Sequence, residues 1–290
     1  MTPAPAREIR AAVRTALLED VSCGDVTTSA LFPKSVRARG TIVAHQAITV
    51  AGVSVARQTF HAVDASLRII HAVKDGATVQ QNRPVLVIEG DARSLLMAER
   101  VALNFLQRLS GIATLTTRFC DTVRGRHIKI LDTRKTTPGL RALEKWAVTL
   151  GGGQNHRYSL GDGVLIKDNH LELAGHDVAS ACRLARKRAP RGMQIEVEAR
   201  TLGEVRAALD GKADIILLDN MTVPAIRRAI RLIKQRATVE VSGGVTLANV
   251  RKIASAGPDR ISIGALTHSA PAADLSMDIV PIGRRNGRRK

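Results

Sequence analysis

Short apolar runs alternate with helical segments through the second half of the chain. The runs are IKILD, VLIKD, IEVE, DIILLD, TVEVS and RISIG, and amphipathic segments such as TLGEVRAALDG and VPAIRRAIRLIKQR lie between most of them. This alternation predicts repeated βα units with right-handed crossovers. Six or seven units in about 150 residues favour an incomplete (β/α) barrel. An open doubly wound sheet is the alternative, although no GxGxxG motif follows a first strand.

The first part of the chain mixes helices and strands without this regular alternation. We predict a helix over residues 6 to 19, strands in VRARGTIVAHQAITVAG, LRIIHAV and PVLVIEG, and a helix in VSVARQTFHAV. The pattern is typical of an α+β domain. We therefore divide the chain into an α+β domain at 1–111 and a barrel domain at 112–266, and we expect 267–290 to return to the first domain.

A long helix is predicted from Arg93 to about Val123, with Gly111 as a candidate interruption. Its apolar stripe consists of Leu95, Ala102, Leu106 and Leu109. Arg100 points away from this stripe, and taken alone it is typical of a solvated surface charge.

Each apolar run of the second half ends in polar residues or glycine. These endings are Asp132-Thr133-Arg134-Lys135, Lys167-Asp168, Glu196 and Glu198, Asp219-Asn220, Ser242-Gly243-Gly244, and Gly264. The carboxyl ends of barrel strands gather at one face, which is where such folds place their active sites. We therefore predict a functional site at this face.

The stretch from residue 131 to residue 170 concentrates positive charge around a GGG run. Its candidate side chains are Arg134, Lys135, His156, Arg157 and Lys167. Arginine binds carboxylates and phosphates through its planar fork, and each lysine is either a phosphate-binding charge or, if desolvated, a nucleophile. A single arginine is often only a surface charge, and a single histidine is often only packed. Arg134 and Arg157 are stronger candidates because each lies in a Gly- or Thr-rich loop beside another cation.

Two acidic residues, Glu198 and Asp219, end neighbouring runs. Paired carboxylates can hold Mg²⁺ together with substrate phosphates, or accept hydrogen bonds from ribose hydroxyls. Salt bridges to the many arginines are the purely structural alternative. Glu196 lies two residues before Glu198 and faces the same side of the strand, so we expect it deeper in the barrel in a supporting role.

The sequence Ser242-Gly243-Gly244 precedes a helical pattern, TLANVRKI. Glycines let backbone N–H groups approach a phosphate, and a helix N-terminus adds its positive dipole end. Tight turns use the same residues, so the motif alone is weak. Its place near the end of the repeat is where barrels often bind phosphate, and Gly264 with Ala265 would form the adjacent loop.

The overall charge favours acidic small molecules over nucleic acid. The 290 residues carry a formal net charge of +18, which suits nucleic acids, membrane surfaces or acidic ligands. Arginine is spread along the chain, however, and aromatic residues, which stack on bases, make up only 2%. The tail RRNGRRK is the dense basic cluster and is typical of a solvated, disordered end. A basic nucleic-acid-binding protein is the alternative outside enzymes.

The chain shows no sign of secretion or of a membrane partner. No apolar run approaches the roughly 18 residues that span a membrane, and the N-terminus lacks the apolar core of a secretory signal. Cys23, Cys120 and Cys182 lie far apart without metal-ligand spacing. We expect a reduced cytoplasmic protein with unreactive thiols.

With these motifs assembled, the chain closely resembles the quinolinate phosphoribosyltransferase family over almost its whole length. The resemblance rests on EDVSCGDVTT, AERVALNFLQRLSGIAT, DTRKTTPGLRALEKWAV, GGGQNHR, LIKDNH, EVE, LLDN and SGG. It implies an N-terminal α/β sandwich domain and an incomplete α/β barrel. It also implies that quinolinate and phosphoribosyl pyrophosphate (PRPP), with Mg²⁺, are converted to nicotinate mononucleotide, pyrophosphate and CO₂ in NAD biosynthesis.

The resemblance further implies roles for single residues. The quinolinate-binding residues would be Arg134, His156, Arg157 and Lys167, with Arg100 inserted into the active site of the neighbouring subunit of a homodimer. The PRPP-binding residues would be Lys135, Glu198, Asp219, Ser242, Gly243, Gly244, Ile263, Gly264 and Ala265. Lys135, Glu198 and Asp219 would be catalytic, and Glu198 and Asp219 would be the Mg²⁺ ligands.

Two other enzymatic functions remain open at this point. A phosphoribosyltransferase for another aromatic acid would carry similar motifs, because these define the class better than they define the ring. A barrel aldolase that depends on Lys167 is the second alternative.

Overall fold

The computed structural model describes residues 4–32 and 34–282 of the chain. By its internal contacts the chain divides into two compact units. The first comprises Met1–Thr117, Thr137–Gly152 and Ala270–Lys290, and the second comprises Arg118–Thr136 and Gly153–Ser269. The basic tail RRNGRRK, at 284–290, lies outside the described residues.

Helices and short strands alternate irregularly in the first unit. Its helices are α1 (Ala6–Val21), α2 (Val26–Leu31), α3 (Val53–Val63), α4 (Ala92–Thr122), whose last residues belong to the second unit, and α5 (Arg141–Leu150). Its strands are β1 (Arg37–Ala44), β2 (Ile48–Thr49), β3 (Arg68–Ala72), β4 (Thr78–Val79), β5 (Arg83–Asp91) and β12 (Leu275–Pro281).

An antiparallel sheet in the order β12-β1-β5-β3 forms the centre of this unit. In the first half of β1, exposed and buried positions alternate, as expected for a sheet with one face on a core. That core includes Ile42 of β1, Phe60 of α3, Leu86 of β5 and Leu106 of α4, all fully buried. Because β12 pairs with β1, residues near the C-terminus complete the sheet.

The prediction that Gly111 can interrupt the long helix is wrong, since α4 runs unbroken from Ala92 to Thr122. A Cβ at Gly111 would lie 2.1 Å from the carbonyl oxygen of Pro271. The glycine therefore permits a close approach of two backbones. The predicted domain boundary between residues 111 and 112 also falls inside this helix.

The segment Thr137–Gly152 groups with the first unit by its contacts, although the sequence places it in the barrel region. Its Glu144 is fully buried and pairs with Arg108 of α4, with 2.8 Å between Oε1 and Nη2. The backbone N–H of Thr137 donates to the other Glu144 oxygen at 3.1 Å. A buried carboxylate with these partners anchors the segment, which sequence pattern alone does not show.

Strands and helices alternate regularly in the second unit. Its strands are β6 (Lys129–Leu131), β7 (Val164–Ile166), β8 (Ile195–Ala199), β9 (Ile215–Asp219), β10 (Thr238–Ser242) and β11 (Arg260–Ser262). Its helices are α6 (Asp168–Ala174), α7 (Val178–Arg188), α8 (Leu202–Asp210), α9 (Val223–Ile233), α10 (Val250–Ala254) and α11 (Ala265–His268).

The strands of this unit form one parallel sheet in the order β6-β11-β10-β9-β8-β7. The order follows the chain from β7 to β11 and then joins β6, so it lacks the reversal of a doubly wound sheet. Gln154 adds an isolated parallel bridge to Leu131, beside β6. Within the described residues the predicted incomplete barrel of six to seven units is confirmed.

No helix in the described part of the chain is long and apolar enough to cross a membrane.

The close approach at Gly111 leads to a stability prediction. Gly111→Ala should destabilise the protein by about 1–3 kcal/mol, because the new methyl group overlaps the Pro271 carbonyl and forces backbone shifts. Gly203→Ala is the matched control, since this glycine is also helical and its added Cβ would meet nothing nearer than 3.7 Å. Urea unfolding followed by circular dichroism measures both variants. Equal midpoints for Gly111→Ala and the parent would contradict the packing argument.

Candidate functional site

A cavity of about 790 Å³ lies in the second unit, at the carboxyl ends of its strands. The predicted site residues of this unit all line it. They are Arg134, Lys135, His156, Arg157, Lys167, Glu198, Asp219, Ser242, Gly243, Gly244, Ile263, Gly264 and Ala265. The remaining predicted residue, Arg100, is exposed on α4 in the first unit. Its expected role in a neighbouring subunit stays a prediction.

Asp132 fixes the loops that carry the cations. This carboxylate is fully buried at the end of β6 and accepts the backbone N–H of His156 at 2.8 Å. The backbones of Gln154 and Ile130 are joined by a further hydrogen bond of 2.8 Å. Arg157 donates from Nη1 to the carbonyl of Gly163 at 2.9 Å. The two loops are therefore held in place without a ligand.

Arg134 and Arg157 lie close enough for their charges to interact. Burial first, and the nearby Arg134 guanidinium second, lower the pKa of Arg157 from its usual value. Two like charges in a partly buried site repel each other, and an anion between them relieves the repulsion. This loop pair is thus suited to a ligand that carries carboxylates.

His156 points its Nε2 at two buried carboxylates. Nε2 lies 3.1 Å from Glu196 Oε2 and 3.4 Å from Glu240 Oε1. Glu196 is nearly and Glu240 fully buried, and neither Glu240 oxygen accepts a hydrogen bond from the described residues. Glu196 does not line the cavity of the predicted site. It lines a second cavity of about 560 Å³, which His156 and Arg157 also line.

The charges of this buried cluster shift the pKa values of His156 and Glu196. Burial lowers the pKa of His156, but the nearby Glu196 and Glu240 carboxylates outweigh it and raise the value to about 9. The backbone N–H of Arg157 opposes this rise in pKa. It donates to Nδ1 of His156 at 2.8 Å, and a protonated ring has no lone pair at Nδ1 to accept that bond. For Glu196, burial is the main cause of a raised pKa, with the charge of Glu240 adding to it.

Glu198 and Asp219 form an acidic pair at the ends of β8 and β9. Burial and then the Asp219 charge raise the pKa of Glu198, so the two carboxylates repel each other. Lys167 Nζ lies 3.8 Å from Glu198, and the Arg200 guanidinium contacts both carboxylates. Positive charge between Glu198 and Asp219 would relieve their repulsion, and their carboxylate oxygens are ligands that suit a hard divalent cation such as Mg²⁺.

The loop after β10 is shaped by two glycines with positive φ, Gly243 at 90° and Gly244 at 58°. A Cβ at Gly243 would lie 2.2 Å from Asn220 Oδ1. The Asn249 side chain donates to the Gly244 carbonyl and accepts the Thr246 N–H, each at 2.8 Å. The loop is therefore held by side chains on both sides.

The expected helix N-terminus directly behind this loop is wrong. The turn at 247–249 intervenes, and α10 begins only at Val250 and is five residues long. The predicted helical pattern starts too early because the Asn249 side chain bonds the loop backbone before the helix begins.

The loop after β11 meets the loop after β6 inside the same unit. A Cβ at Gly264 would lie 3.1 Å from Lys135 Cδ, and the Thr267 hydroxyl donates to the Lys135 carbonyl at 2.8 Å. The position of Lys135 is thus set by residues that are about 130 positions away in the chain.

Some residues at the site were not predicted as candidates. They are His268, which lines the cavity, Glu240, whose carboxylate lies 3.4 Å from His156 Nε2, and Arg200 beside the acidic pair. Glu240 carries a usable signal, since a glutamate in the middle of an apolar strand run resembles the pattern at Glu196. For His268 and Arg200 we find no such signal, because they reach the site from a helix end and a loop.

Comparison with known proteins assigns the chain to a family. The family model of the quinolinate phosphoribosyl transferase N-terminal domain matches residues 25–110, and that of the C-terminal domain matches residues 112–278. The chain belongs to the quinolinate phosphoribosyltransferase family. The resemblance drawn from its motifs is confirmed.

Relatives cover nearly the whole chain. The nicotinate-nucleotide pyrophosphorylase [carboxylating] of Mycobacterium leprae is 42% identical over 276 residues, which are 93% of this chain and 96% of that protein. The probable nicotinate-nucleotide pyrophosphorylase [carboxylating] of Bacillus subtilis is 40% identical over 262 residues, 90% of each chain. The crystal structure of NadC from Streptococcus pyogenes has a TM-score of 0.92 and 40% identity, covering 98% of this chain and 100% of that one.

The buried cluster leads to a prediction about pH. The pKa of His156 in the folded protein should lie above its usual 6.5, and Glu240→Gln should lower it by removing one negative charge. Because the folded pKa is the higher one, this histidine stabilises the fold fully below pH 6.5 and loses that effect as the pH rises towards 9. NMR titration of the imidazole and urea unfolding across this range measure both effects.

Glu172→Gln, an exposed change on α6, is the control for loss of one acidic charge. It should leave the His156 titration where it is in the parent. An identical His156 pKa in the parent and in Glu240→Gln would show that Glu240 does not act on the ring.

Proposed function

We propose that this chain transfers the phosphoribosyl group of PRPP to quinolinate. The products are nicotinate mononucleotide, pyrophosphate and CO₂, in the synthesis of NAD. The observation that carries this proposal is the composition of a single cavity, which combines arginines and lysines for two anionic substrates with the Glu198–Asp219 pair. Family membership supports the same reaction.

Quinolinate carries two carboxylates, and the cations around His156 suit it. Arg134 and Arg157 repel each other in the free protein, so a dianion bound near both gains from each charge. Charge-assisted hydrogen bonds of this kind contribute roughly 1.5–3 kcal/mol each. His156, held by Glu196 and Glu240, and Lys167 complete the proposed quinolinate site.

The loops after β10 and β11 suit the phosphates of PRPP. Gly243 and Gly244 have no side chains of their own, so a phosphate can approach their backbone N–H groups closely. Ser242 and the segment from Ile263 to Ala265 line the same part of the cavity. Lys135, held between these loops, is the proposed phosphate-binding lysine.

The reaction needs charge stabilisation more than proton transfer. Breaking the bond between C1 of the ribose and the pyrophosphate oxygen leaves positive charge on C1, which the Glu198 and Asp219 carboxylates stabilise. The pyridine nitrogen then donates its electron pair to C1. In the resulting nucleotide the positively charged ring accepts the electron pair left when the 2-carboxylate departs as CO₂, and a proton replaces it at C2. Positioning both substrates is the main task of the cavity.

We propose Glu198 and Asp219 as the ligands of Mg²⁺. The support is their mutual repulsion and the oxygen ligands that they offer. When bound, the ion would neutralise phosphate charge on PRPP. The carboxylates themselves orient the ribose and hold negative charge beside C1.

A homodimer and a cytoplasmic location are part of the same proposal. Arg100 is exposed on α4, where a neighbouring subunit can use it, as the family resemblance implies. Burial raises the pKa of Cys120 and of Cys182 to about 11, which keeps both thiols protonated and unreactive. Such thiols suit a reducing compartment.

The aldolase alternative finds no support in the geometry of Lys167. A nucleophilic lysine needs a desolvated pocket. The Lys167 side chain is 48% exposed and lies 3.8 Å from Glu198. It is placed to bind an anion beside the acidic pair.

The decisive experiment is a product assay. The purified protein with quinolinate, PRPP and Mg²⁺ should form nicotinate mononucleotide, measured by chromatography. Arg134→Ala and Arg157→Ala should each weaken quinolinate binding at least tenfold, about 1.4 kcal/mol, because each removes a charge-assisted contact. Calorimetric titration with quinolinate measures this loss.

Arg231→Ala, an exposed change on α9, is the matched control and should bind quinolinate as the parent does. A well-folded parent that forms no product would exclude the proposed reaction. Unchanged quinolinate binding in Arg134→Ala and Arg157→Ala would remove both residues from the site.

The proposed shared active site predicts complementation between inactive variants. Arg100→Ala and Lys167→Ala should each be inactive, and mixing them under conditions of subunit exchange should restore about a quarter of the parental activity per site. Restoration is expected because one mixed site carries both native residues. Mixing of Arg100→Ala with itself is the control, and a mixture no more active than that control would argue against sharing.

A further inference from the structure

Arg200 contacts both carboxylates of the acidic pair and lies two residues beyond the EVE motif. Its Nη2 is 2.8 Å from Asp168 Oδ2 and 3.4 Å from Glu198 Oε1, and its Nε is 3.4 Å from Asp219 Oδ2. One guanidinium thus contacts carboxylates that follow or end β7, β8 and β9. The flat fork of arginine is suited to such multiple contacts.

The backbone of Arg200 is fixed by the start of α8. Its N–H donates to Glu204 Oε2 at 2.5 Å. Thr201 and Glu204 form a capping box, in which the Glu204 N–H donates to Thr201 Oγ1 at 3.1 Å. The side chain therefore starts from a fixed point, and about half of it is exposed to solvent.

The contacts of Arg200 are unequal. The shortest is to Asp168, which lies outside the proposed metal-binding pair, and the two longer ones are to Glu198 and Asp219. Arg200 can therefore release Glu198 and Asp219 and keep Asp168 as a partner. Lys167, 3.8 Å from Glu198, adds a second internal cation at the same carboxylates.

We propose that Arg200 is a built-in competitor for divalent cations at the Glu198–Asp219 pair. In the free enzyme its guanidinium supplies the positive charge that these carboxylates need, so a divalent cation alone binds weakly. The cation then enters together with PRPP, whose phosphates supply further ligands and attract the displaced guanidinium. Arg200 is a positioning residue that sets this order, and the inference rests on the function proposed above.

Direct binding of Mn²⁺ to the enzyme without PRPP tests this proposal. Mn²⁺ replaces Mg²⁺ at oxygen sites, and electron paramagnetic resonance counts the free ion. Arg200→Gln should bind one Mn²⁺ at least fivefold more tightly than the parent. Arg200→Lys, which keeps a charge, should stay closer to the parent. Adding Glu198→Gln to Arg200→Gln should abolish the gain, which locates the ion.

Arg183→Gln is the control for overall charge, since it also removes one arginine from the surface of the second unit. It should bind Mn²⁺ as the parent does. An Arg200→Gln protein that binds Mn²⁺ no better than Arg183→Gln, including the case in which neither binds it detectably, overturns the inference. Failure of the parent to form product would instead overturn the proposed function, so the two outcomes are distinct.

Discussion

Carboxylates and cations balance each other at the strand ends of the barrel, and the cavity depends on that balance. The chain carries a net charge of +18, and several of its cations face one cavity. Without nearby carboxylates their mutual repulsion would oppose folding. Glu196 and Glu240 sit beside His156, and Glu198 sits near Lys167. The strands thus provide the negative charge, and the loops provide the positive charge.

This arrangement gives the free protein a site that is already charged and ordered. Buried Asp132 holds the backbone of His156, and Thr267 holds that of Lys135, so the cations are in place before a substrate arrives. Fixed charges in a partly buried site stabilise developing charge better than water does, because they need no reorientation. A transferase whose substrates are both polyanions gains from such preorganisation.

Much of the fold could be predicted from the chain pattern, and so could most of the cavity. Short apolar runs alternating with helical segments correctly indicated a parallel barrel, because strands that are buried on both faces read as continuous apolar runs. The errors at Gly111 and at the start of α10 have a common origin. In each case the residue type answers to a group elsewhere in the chain: Gly111 to the Pro271 carbonyl beside it, and Asn249 to the loop backbone that it bonds. Local propensity does not contain that information.

The sequence by itself determined the barrel units and the residue types at each strand end, and its motifs identified the family. These depend on spacing along the chain, which the sequence states directly. Only the tertiary structure decided which side chains meet. Glu240 joins His156 from a strand some 80 positions later, and Arg200 reaches across three strand ends. Both pairings arise because the sheet brings residues from different strands together in space, and sequence distance carries no record of that proximity.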